Sequence, residues 1–158
     1  MNPDVIGLET LHPNPHARAV LQGGTVSGEV RFTQTDQGVL LSAEVFGLPH
    51  SGKVCQEGIF ALHIHDGHCS QGSPFLHSLG HYNPDNCPHP YHAGDLPPLF
   101  ASVDGHAFLS LLTDRFPLRD ILGKIVIIHA GVDDFTTQPA GNAGIKIACG
   151  EIRAVSPR

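Results

Sequence analysis

Short runs in which apolar residues alternate with polar ones recur from Ala17 to the end of the chain, and turns containing Gly or Pro separate them. In residues 24–33, GTVSGEVRFT, every second residue from Val26 to Phe32 is Val, Gly or Phe. Side chains in a strand point alternately to opposite faces, so this period of two predicts a strand with one face in the core. We expect similar strands in five further segments: residues 38–46, 58–65, 106–112, 124–129 and 145–152.

The period of an amphipathic helix is almost absent from the chain. Only residues 117–122, PLRDIL, could form a turn of helix, which Gly123 would end. Many short strands with turns between them are typical of an all-β sandwich or barrel, and we expect about eight strands. The chain has 158 residues, enough for one domain, which we place at residues 17–158 after an extended lead-in at residues 1–16.

Charge and hydropathy exclude several functional classes. The net charge is −6 and no block of basic residues occurs, so nucleic acid and acidic membrane surfaces are poor partners. No stretch approaches the roughly 18 apolar residues of a membrane-spanning helix. The first sixteen residues lack the basic and apolar regions of a signal peptide, so we expect a cytoplasmic protein or the mature form of a secreted or periplasmic one.

Histidine is the unusual feature of the composition, because the chain has 12 and seven lie between His63 and His92. His63 and His65 are two apart in a predicted strand, so their imidazoles leave the same face. Such a pair can also be exposed to solvent, and it indicates a metal site only where other ligands lie nearby. His129 ends another predicted strand and by itself is equally ambiguous.

Residues 66–99 form the longest stretch without a predicted strand, and connections of that length usually carry function. Within residues 81–95 of this stretch, three imidazoles and one carboxylate are candidate ligands, the set and the number for a closed tetrahedral zinc site. The alternative is a His-rich surface loop. The candidate ligands are His81, His89, His92 and Asp95.

Several motifs over residues 58–152 together resemble the copper–zinc superoxide dismutase family, in a bacterial-type variant. In chain order they are ALHIHDGHC, GHYNP, PHPYHAGD, VIIHAGVDD and GNAGIKIACGEI. The resemblance implies a flattened Greek-key β-barrel with its metals outside, under two long loops. It also implies an enzyme that converts superoxide to oxygen and hydrogen peroxide by alternate reduction and oxidation of copper. The family includes dimers and monomers, so the chain could form a homodimer.

The resemblance implies one copper and one zinc ion per chain. The shared His81 would bridge the two metals as an imidazolate and would carry a proton during catalysis. The implied copper ligands are His63, His65, His81 and His129. The implied zinc ligands are His81, His89, His92 and Asp95.

Two further residues take roles from the resemblance. Asp133 would link His63 to His89 and so fix the tautomers of both rings. Lys146 stands where the family has an Arg that guides the anion beside the copper. Lysine keeps the positive charge but loses the planar fork of donors, so we expect activity at a reduced rate.

The resemblance pairs Cys69 with Cys149 in a disulfide that would close a loop of about 80 residues. Cys55 and Cys87 fall outside the family's usual pair. They could form a second bridge or stay as two free thiols, or Cys87 could interfere at the zinc site.

Two other functional hypotheses stay open on the sequence. The first is a non-catalytic copper- or zinc-binding module on the same fold, in which Lys146 marks lost activity. The second is a zinc hydrolase or a cupin-like dioxygenase on another β-barrel. It is disfavoured because Asp66 would point away from the His63 and His65 face, and because the loop supplies zinc with four ligands. Among the remaining residues, we expect His68 and His77 to be exposed and four aromatic residues to lie in the core: Phe32, Phe46, Phe60 and Phe108.

Overall fold

The alternating segments form strands in the computed structural model of the chain, which describes residues 11–12, 14–55 and 57–156. Ten strands and one helix lie wholly within these residues, and none of the helices described there is long and apolar enough to span a membrane. The elements are β1 (Ala17–Gly23), β2 (Val26–Thr35), β3 (Gly38–Phe46), β4 (Ile59–Phe60), β5 (Leu62–Gly67), β6 (Ser78–His81), β7 (Leu99–Phe100), β8 (Ala107–Thr113), α1 (Leu118–Ile121), β9 (Ile125–His129) and β10 (Lys146–Ala154).

Eight of the strands form one antiparallel sheet in the order β6-β5-β9-β10-β1-β2-β3-β8. The sheet curls into a half-barrel, and the small β4–β7 pair connects its two sides. Only Ala61 separates β4 from β5, and Ala101, just after β7, forms a bridge with Ala107 at the start of β8. The predicted all-β class is therefore correct.

The main hydrophobic core fills the inside of the curled sheet. In β1, Ala17, Ala19 and Leu21 are buried, and the residues between them are exposed. Phe32 of β2 and Leu41 of β3 extend this core across the sheet. Burial of each large apolar side chain contributes about 1.5–3 kcal/mol, so this alternation is the main source of the sheet's stability.

Strands β5 and β9 bury both of their faces. Leu62 and Ile64 of β5 point into the main core. One face of β9 also packs in the main core. The other face of β9 contributes to a second, smaller group of apolar residues under the loop that follows β5. We call this group the disulfide cluster; it contains Ile125, Ile127, Cys149, Cys69 and Phe75.

All six predicted strands and the predicted helical turn are present. Two strands of the main sheet lie outside the six predicted segments. One is β1, and the other is β6, which interrupts the stretch at residues 66–99 that we expected to lack strands. The sequence of β6, SLGH, has no β-branched or aromatic residue, so strand propensity gives no signal for it.

Two of the four aromatic residues predicted for the core are in fact on the surface. Phe32 and Phe60 are buried, but Phe46 is 49% exposed and Phe108 is 36% exposed. Phe46 alternates in phase with Glu44, whose side chain bonds to His106 on the outer face of the sheet. Phe46 therefore belongs to the outer face and stacks on the His106 ring, with 4.8 Å between ring centroids.

The predicted lead-in falls largely outside the described residues, which begin at Leu11. His12 is buried against the outer face of β2 and β3. Its Nδ1 lies 2.9 Å from Thr33 Oγ1, and its Nε2 lies 2.9 Å from Ser42 Oγ. His12 therefore joins the end of the lead-in to the sheet.

Candidate metal centre

Three histidines reach the outside of the sheet because of strand register. His63 of β5 pairs with Ile127 of β9, and His65 pairs with Ile125, so both imidazoles share the outward face of those isoleucines. His129 lies on the same face, two residues beyond Ile127. The period of two that placed Leu62 and Ile64 in the core therefore directs the imidazoles away from it.

The loop between β6 and β7 closes over these rings. His81, the last residue of β6, pairs with His65, and Asp95 forms a bridge with His63. A backbone hydrogen bond ties the start of the loop to β5, because the N–H of Tyr82 donates to the carbonyl oxygen of Ile64. Arg115 also fixes the loop, because its Nη1 donates to the carbonyls of Pro90, His92 and Asp95 at 3.2–3.3 Å.

All seven predicted ligands come together in two groups of four that share His81. In each group the candidate ligand atoms lie within 4.8 Å of one another, and every residue is buried. We call His63, His65, His81 and His129 the first group. We call His81, His89, His92 and Asp95 the second group.

The second group is arranged around the Asp95 carboxylate. His81 Nδ1 lies 2.7 Å from Asp95 Oδ1, and His89 Nδ1 lies 3.0 Å from Oδ2. His92 Nδ1 lies 3.3 Å from Oδ2 and 3.4 Å from His81 Nδ1. Three imidazole nitrogens and a carboxylate at this spacing suit a tetrahedral zinc ion.

The first group contains only nitrogen ligands. His65 Nε2 lies 3.2 Å from His129 Nε2. His63 Nδ1 and His81 Nε2 are fully buried, and neither has a hydrogen-bond partner in the part of the chain that the structure describes. A buried nitrogen without a partner is costly unless a ligand satisfies it. The residues therefore fit a metal ion, and imidazole nitrogens suit copper.

The nitrogens that face away from the first group are held by other parts of the protein. His65 Nδ1 lies 2.8 Å from the carbonyl oxygen of Leu79, and His129 Nδ1 lies 3.3 Å from that of Gly144. A carbonyl only accepts, so it selects the tautomer that carries its proton at Nδ1. The Nε2 lone pairs are thereby left free for a metal.

Asp133 connects the two groups. Its Oδ2 lies 2.8 Å from His63 Nε2, and its Oδ1 lies 2.8 Å from His89 Nε2. Oδ1 also accepts the N–H of Phe135 at 2.8 Å. The carboxylate is buried, and its two oxygens fix one ring from each group.

Burial favours the neutral form of three rings of the first group. It lowers the pKa of His63 and of His65 to about 2, and that of His129 to about 4. Burial opposes ionisation of Asp95, but its hydrogen bond to His81 and the neighbouring imidazoles lower its pKa overall. Neutral imidazoles and an ionised carboxylate are the protonation states that bind metals.

Lys146 lies beside the first group. It pairs with His129 at the start of β10, where a bulge shifts the register before Ala148. Burial lowers the pKa of its ammonium group. The ammonium is bonded to Ser78 Oγ at 2.6 Å.

The cysteines divide into one bonded pair and two free thiols. Cys69 and Cys149 form a disulfide inside the disulfide cluster. The second bridge considered from the sequence is not formed: Cys55 is exposed and Cys87 is partly buried, each as a free thiol. Cys87 belongs to neither metal group. Its backbone is held by Asn83, which bonds to both its N–H and its C=O at 2.9 Å.

Three residues near the centre were missed from the sequence. They are Arg115, which fixes the loop, Ser78, which contacts Lys146, and Gly141, which packs against Asp133. Arg115 and Ser78 belong to none of the quoted motifs, and their sequence separation from the residues they contact gives no local signal. Gly141 begins the motif GNAGIKIACGEI, but nothing in the sequence indicated that it lies against Asp133. His68 and His77 are exposed as expected, and their rings stack on each other.

Comparison with known proteins gives one consistent result. The sequence model described as copper/zinc superoxide dismutase (SODC) matches residues 26–152. The chain is 37% identical to superoxide dismutase [Cu-Zn] of Legionella pneumophila, covering 80% of this chain and 77% of that protein. It is 33% identical to superoxide dismutase [Cu-Zn] 2 of Aquifex aeolicus (strain VF5), covering 87% and 85%. The crystal structure of the clock protein EA4 is similar at 28% identity and a TM-score of 0.76, covering 89% of this chain and 96% of that chain.

Proposed function

The chain belongs to the copper/zinc superoxide dismutase family and is a superoxide dismutase that uses copper and zinc, and from this premise we propose how its residues divide the work. The first group binds copper and the second binds zinc. The observation that carries this assignment is the shared His81, whose Nδ1 faces the carboxylate of the second group while its buried Nε2 faces the first. Nitrogen ligands alone suit copper, and a set with one carboxylate suits zinc.

When bound, copper supplies the one-electron chemistry that turns two superoxide ions and two protons into oxygen and hydrogen peroxide, and zinc supplies a fixed charge without redox chemistry. The protein must deliver protons to the product. His81 Nε2 is the nitrogen suited to this, because it has no hydrogen bond to the described residues that would compete for a proton. The Nδ1 of the same ring stays on the zinc side, where Asp95 Oδ1 lies 2.7 Å away. His81 can therefore take up and release a proton at Nε2 without leaving its place.

Asp133 fixes the orientation of one ring in each of the two groups. It holds His63 by one oxygen and His89 by the other, so neither ring can turn without breaking a buried hydrogen bond. We assign it a positioning role, because its oxygens bond to the ring nitrogens that face away from both groups.

Lys146 attracts and orients the anionic substrate. It is a partly buried cation paired with His129, and no Lys or Arg occurs between Lys53 and Arg115 in the sequence. A single ammonium gives less orientation than a guanidinium fork, and we expect a modest rate for this reason.

Removal of one ligand from each group tests the assignment. The fully loaded protein should hold one copper and one zinc ion per chain and should dismutate superoxide. His129→Ala should lose copper and activity but keep zinc, whereas His92→Ala should lose zinc first. Loss of both metals in equal measure from His129→Ala would contradict two separate groups.

The competing hypothesis of a non-catalytic binding module makes a different prediction for the same sample. It expects copper to bind at full occupancy with no dismutation above that of the metal-free protein.

A homodimer also remains a prediction from the sequence, as does the absence of nucleic-acid and membrane partners. Light scattering of the loaded protein measures its oligomeric state.

A further inference from the structure

Lys146 and Ser78 form a contact that the assignment of the metal groups does not use. Lys146 Nζ lies 2.6 Å from Ser78 Oγ, although the two residues are 68 positions apart. Lys146 begins β10, and Ser78 begins β6, where it pairs with Gly67 of β5. Both side chains are partly buried.

The hydroxyl group of Ser78 has its polarity fixed by a second bond. Its O–H donates to the carbonyl oxygen of Phe75 at 2.7 Å, and the backbone N–H of Ser78 donates to the same oxygen at 3.2 Å. With its proton used in this way, Ser78 presents only lone pairs to Lys146, which is what an ammonium donor requires. Phe75 belongs to the disulfide cluster, so the carbonyl group that accepts the Ser78 hydroxyl proton lies next to a buried part of the molecule.

A lysine side chain is a flexible four-carbon stem, and its charge is not directed unless its end is held. The ammonium has three N–H donors, and the bond to Ser78 uses one of them. Two donors remain for an anion. The backbone pairing with His129 at the bulge fixes the other end of the side chain beside the first group.

We propose that Ser78 is a positioning residue for Lys146, and that its hydroxyl oxygen holds the ammonium where its two remaining donors can bind the anion that approaches the first group. This inference rests on the proposed role of Lys146 in anion binding. It separates two properties of Lys146: the charge itself, which acts at long range, and the placement of the donors, which acts only at contact.

Azide, an anion that binds to copper, serves as the probe. Its affinity for the copper- and zinc-loaded protein is measured from the charge-transfer absorption that appears on binding. Ser78→Ala should weaken azide binding by about three- to tenfold, the scale expected when one charge-assisted hydrogen bond no longer orients a donor. Ser78→Thr keeps the hydroxyl and should restore most of the affinity. Ser70→Ala is the control. Ser70 lies in the same loop, but its hydroxyl group bonds to the exposed His77, so this variant should leave azide affinity unchanged.

The salt dependence of kcat/KM provides a readout that general loss of structure would not give. Ser78→Ala keeps the charge of Lys146, so kcat/KM should fall while its slope against ionic strength stays that of the unaltered protein. Lys146→Met removes the charge and should flatten the slope. Metal content per chain is measured on every variant, so that loss of copper is not mistaken for loss of anion affinity.

A double-variant cycle distinguishes failure of this inference from failure of the proposed function. In the Lys146→Met background, Ser78→Ala should have no further effect on azide affinity. If Lys146→Met weakens azide binding but Ser78→Ala does not, Ser78 has no positioning role. The same conclusion follows if Ser78→Thr behaves like Ser78→Ala, or if Ser78→Ala still acts in the Lys146→Met background. If Lys146→Met itself has no effect, the proposed role of Lys146 fails, and the role of Ser78 fails with it.

Discussion

Gly141 lies so close to Asp133 that a Cβ atom at position 141 would overlap the carboxylate oxygen Oδ1. The same atom would lie only 2.6 Å from His89 Nε2. The backbone of Gly141 has φ of +71°, a conformation that residues with side chains rarely adopt. A glycine is therefore required here for two reasons, and one of them is the hydrogen bond between Asp133 and His89.

Gly141→Ala should therefore impair the second metal group as well as the backbone. We expect zinc affinity to fall by about tenfold or more, because the methyl group must push aside a residue that orients a ligand. Gly144→Ala is the matched control, since Gly144 has φ of +79° but no atom closer than 3.6 Å to the added Cβ. Chelator competition measures zinc affinity. Equal affinities in the two variants would mean that only backbone strain matters.

Asp133→Asn should weaken metal binding without changing the size of the side chain. An amide has one accepting oxygen, so its NH₂ group would face the N–H of either His63 or His89 and leave two donors opposed. We expect a loss of metal affinity of about 10–100-fold, measured by chelator competition. Asp134→Asn is the control, because Asp134 is exposed and its carboxylate, among the described residues, bonds only to Thr136 and Thr137 of its own loop.

Lys146→Arg should raise the rate of dismutation. The guanidinium keeps the charge and adds a planar fork of donors, so we expect kcat/KM per bound copper to increase about two- to tenfold. Lys53→Arg makes the same change on an exposed residue outside both metal groups and should leave the rate unchanged. A rate for Lys146→Arg at or below that of the unaltered protein would show that donor geometry does not limit turnover.

Loss of the disulfide should destabilise the protein. Cys69 and Cys149 are 80 residues apart, and replacing both with Ser should lower the free energy of unfolding by about 2–4 kcal/mol. Replacing the free thiols Cys55 and Cys87 with Ser should change it by less than about 0.5 kcal/mol. Denaturant unfolding gives both values, and thiol titration of the denatured, unreduced chain should find two reactive groups.

His12 should make stability depend on pH. Burial, and secondarily Arg31, lower its pKa, so the folded chain resists the proton that the unfolded chain binds below about pH 6.5. Stability from His12 is complete above that value and is lost as pH falls. The stability advantage over His12→Gln should therefore shrink by up to about 1.4 kcal/mol per pH unit. Denaturant unfolding of both proteins between pH 8 and pH 5.5 measures this difference, and parallel curves would contradict it.

The positions of His63, His65 and His129 could be predicted from the sequence because strand geometry is local. A period of two determines that His63 and His65 share a face, and the same rule places His129 with Ile127. Phe46 shows the limit of this reasoning. Alternation identifies two faces, but it does not say which one is inside, and the polar residues Ser42 and Glu44 in the same phase were the missed signal.

Contacts between distant loops could not be predicted from the residues alone. Asp133 reaches His63 over 70 residues and His89 over 44, and only the family resemblance suggested this arrangement. Ser78 and Arg115 had no such support. Their roles come from packing of the loop between β6 and β7 and of the segment before it, and loop packing depends on tertiary contacts that no local pattern encodes.

The two faces of β5 have a consequence for the order in which the protein can acquire its structure. A slip of one residue against β9 would carry both imidazoles into the barrel interior and expel Leu62 and Ile64 from it. Apolar burial alone penalises that error, without help from any ion. The hydrophobic effect therefore specifies the correct register and the direction in which His63 and His65 point, so the chain can place these ligands before a metal binds.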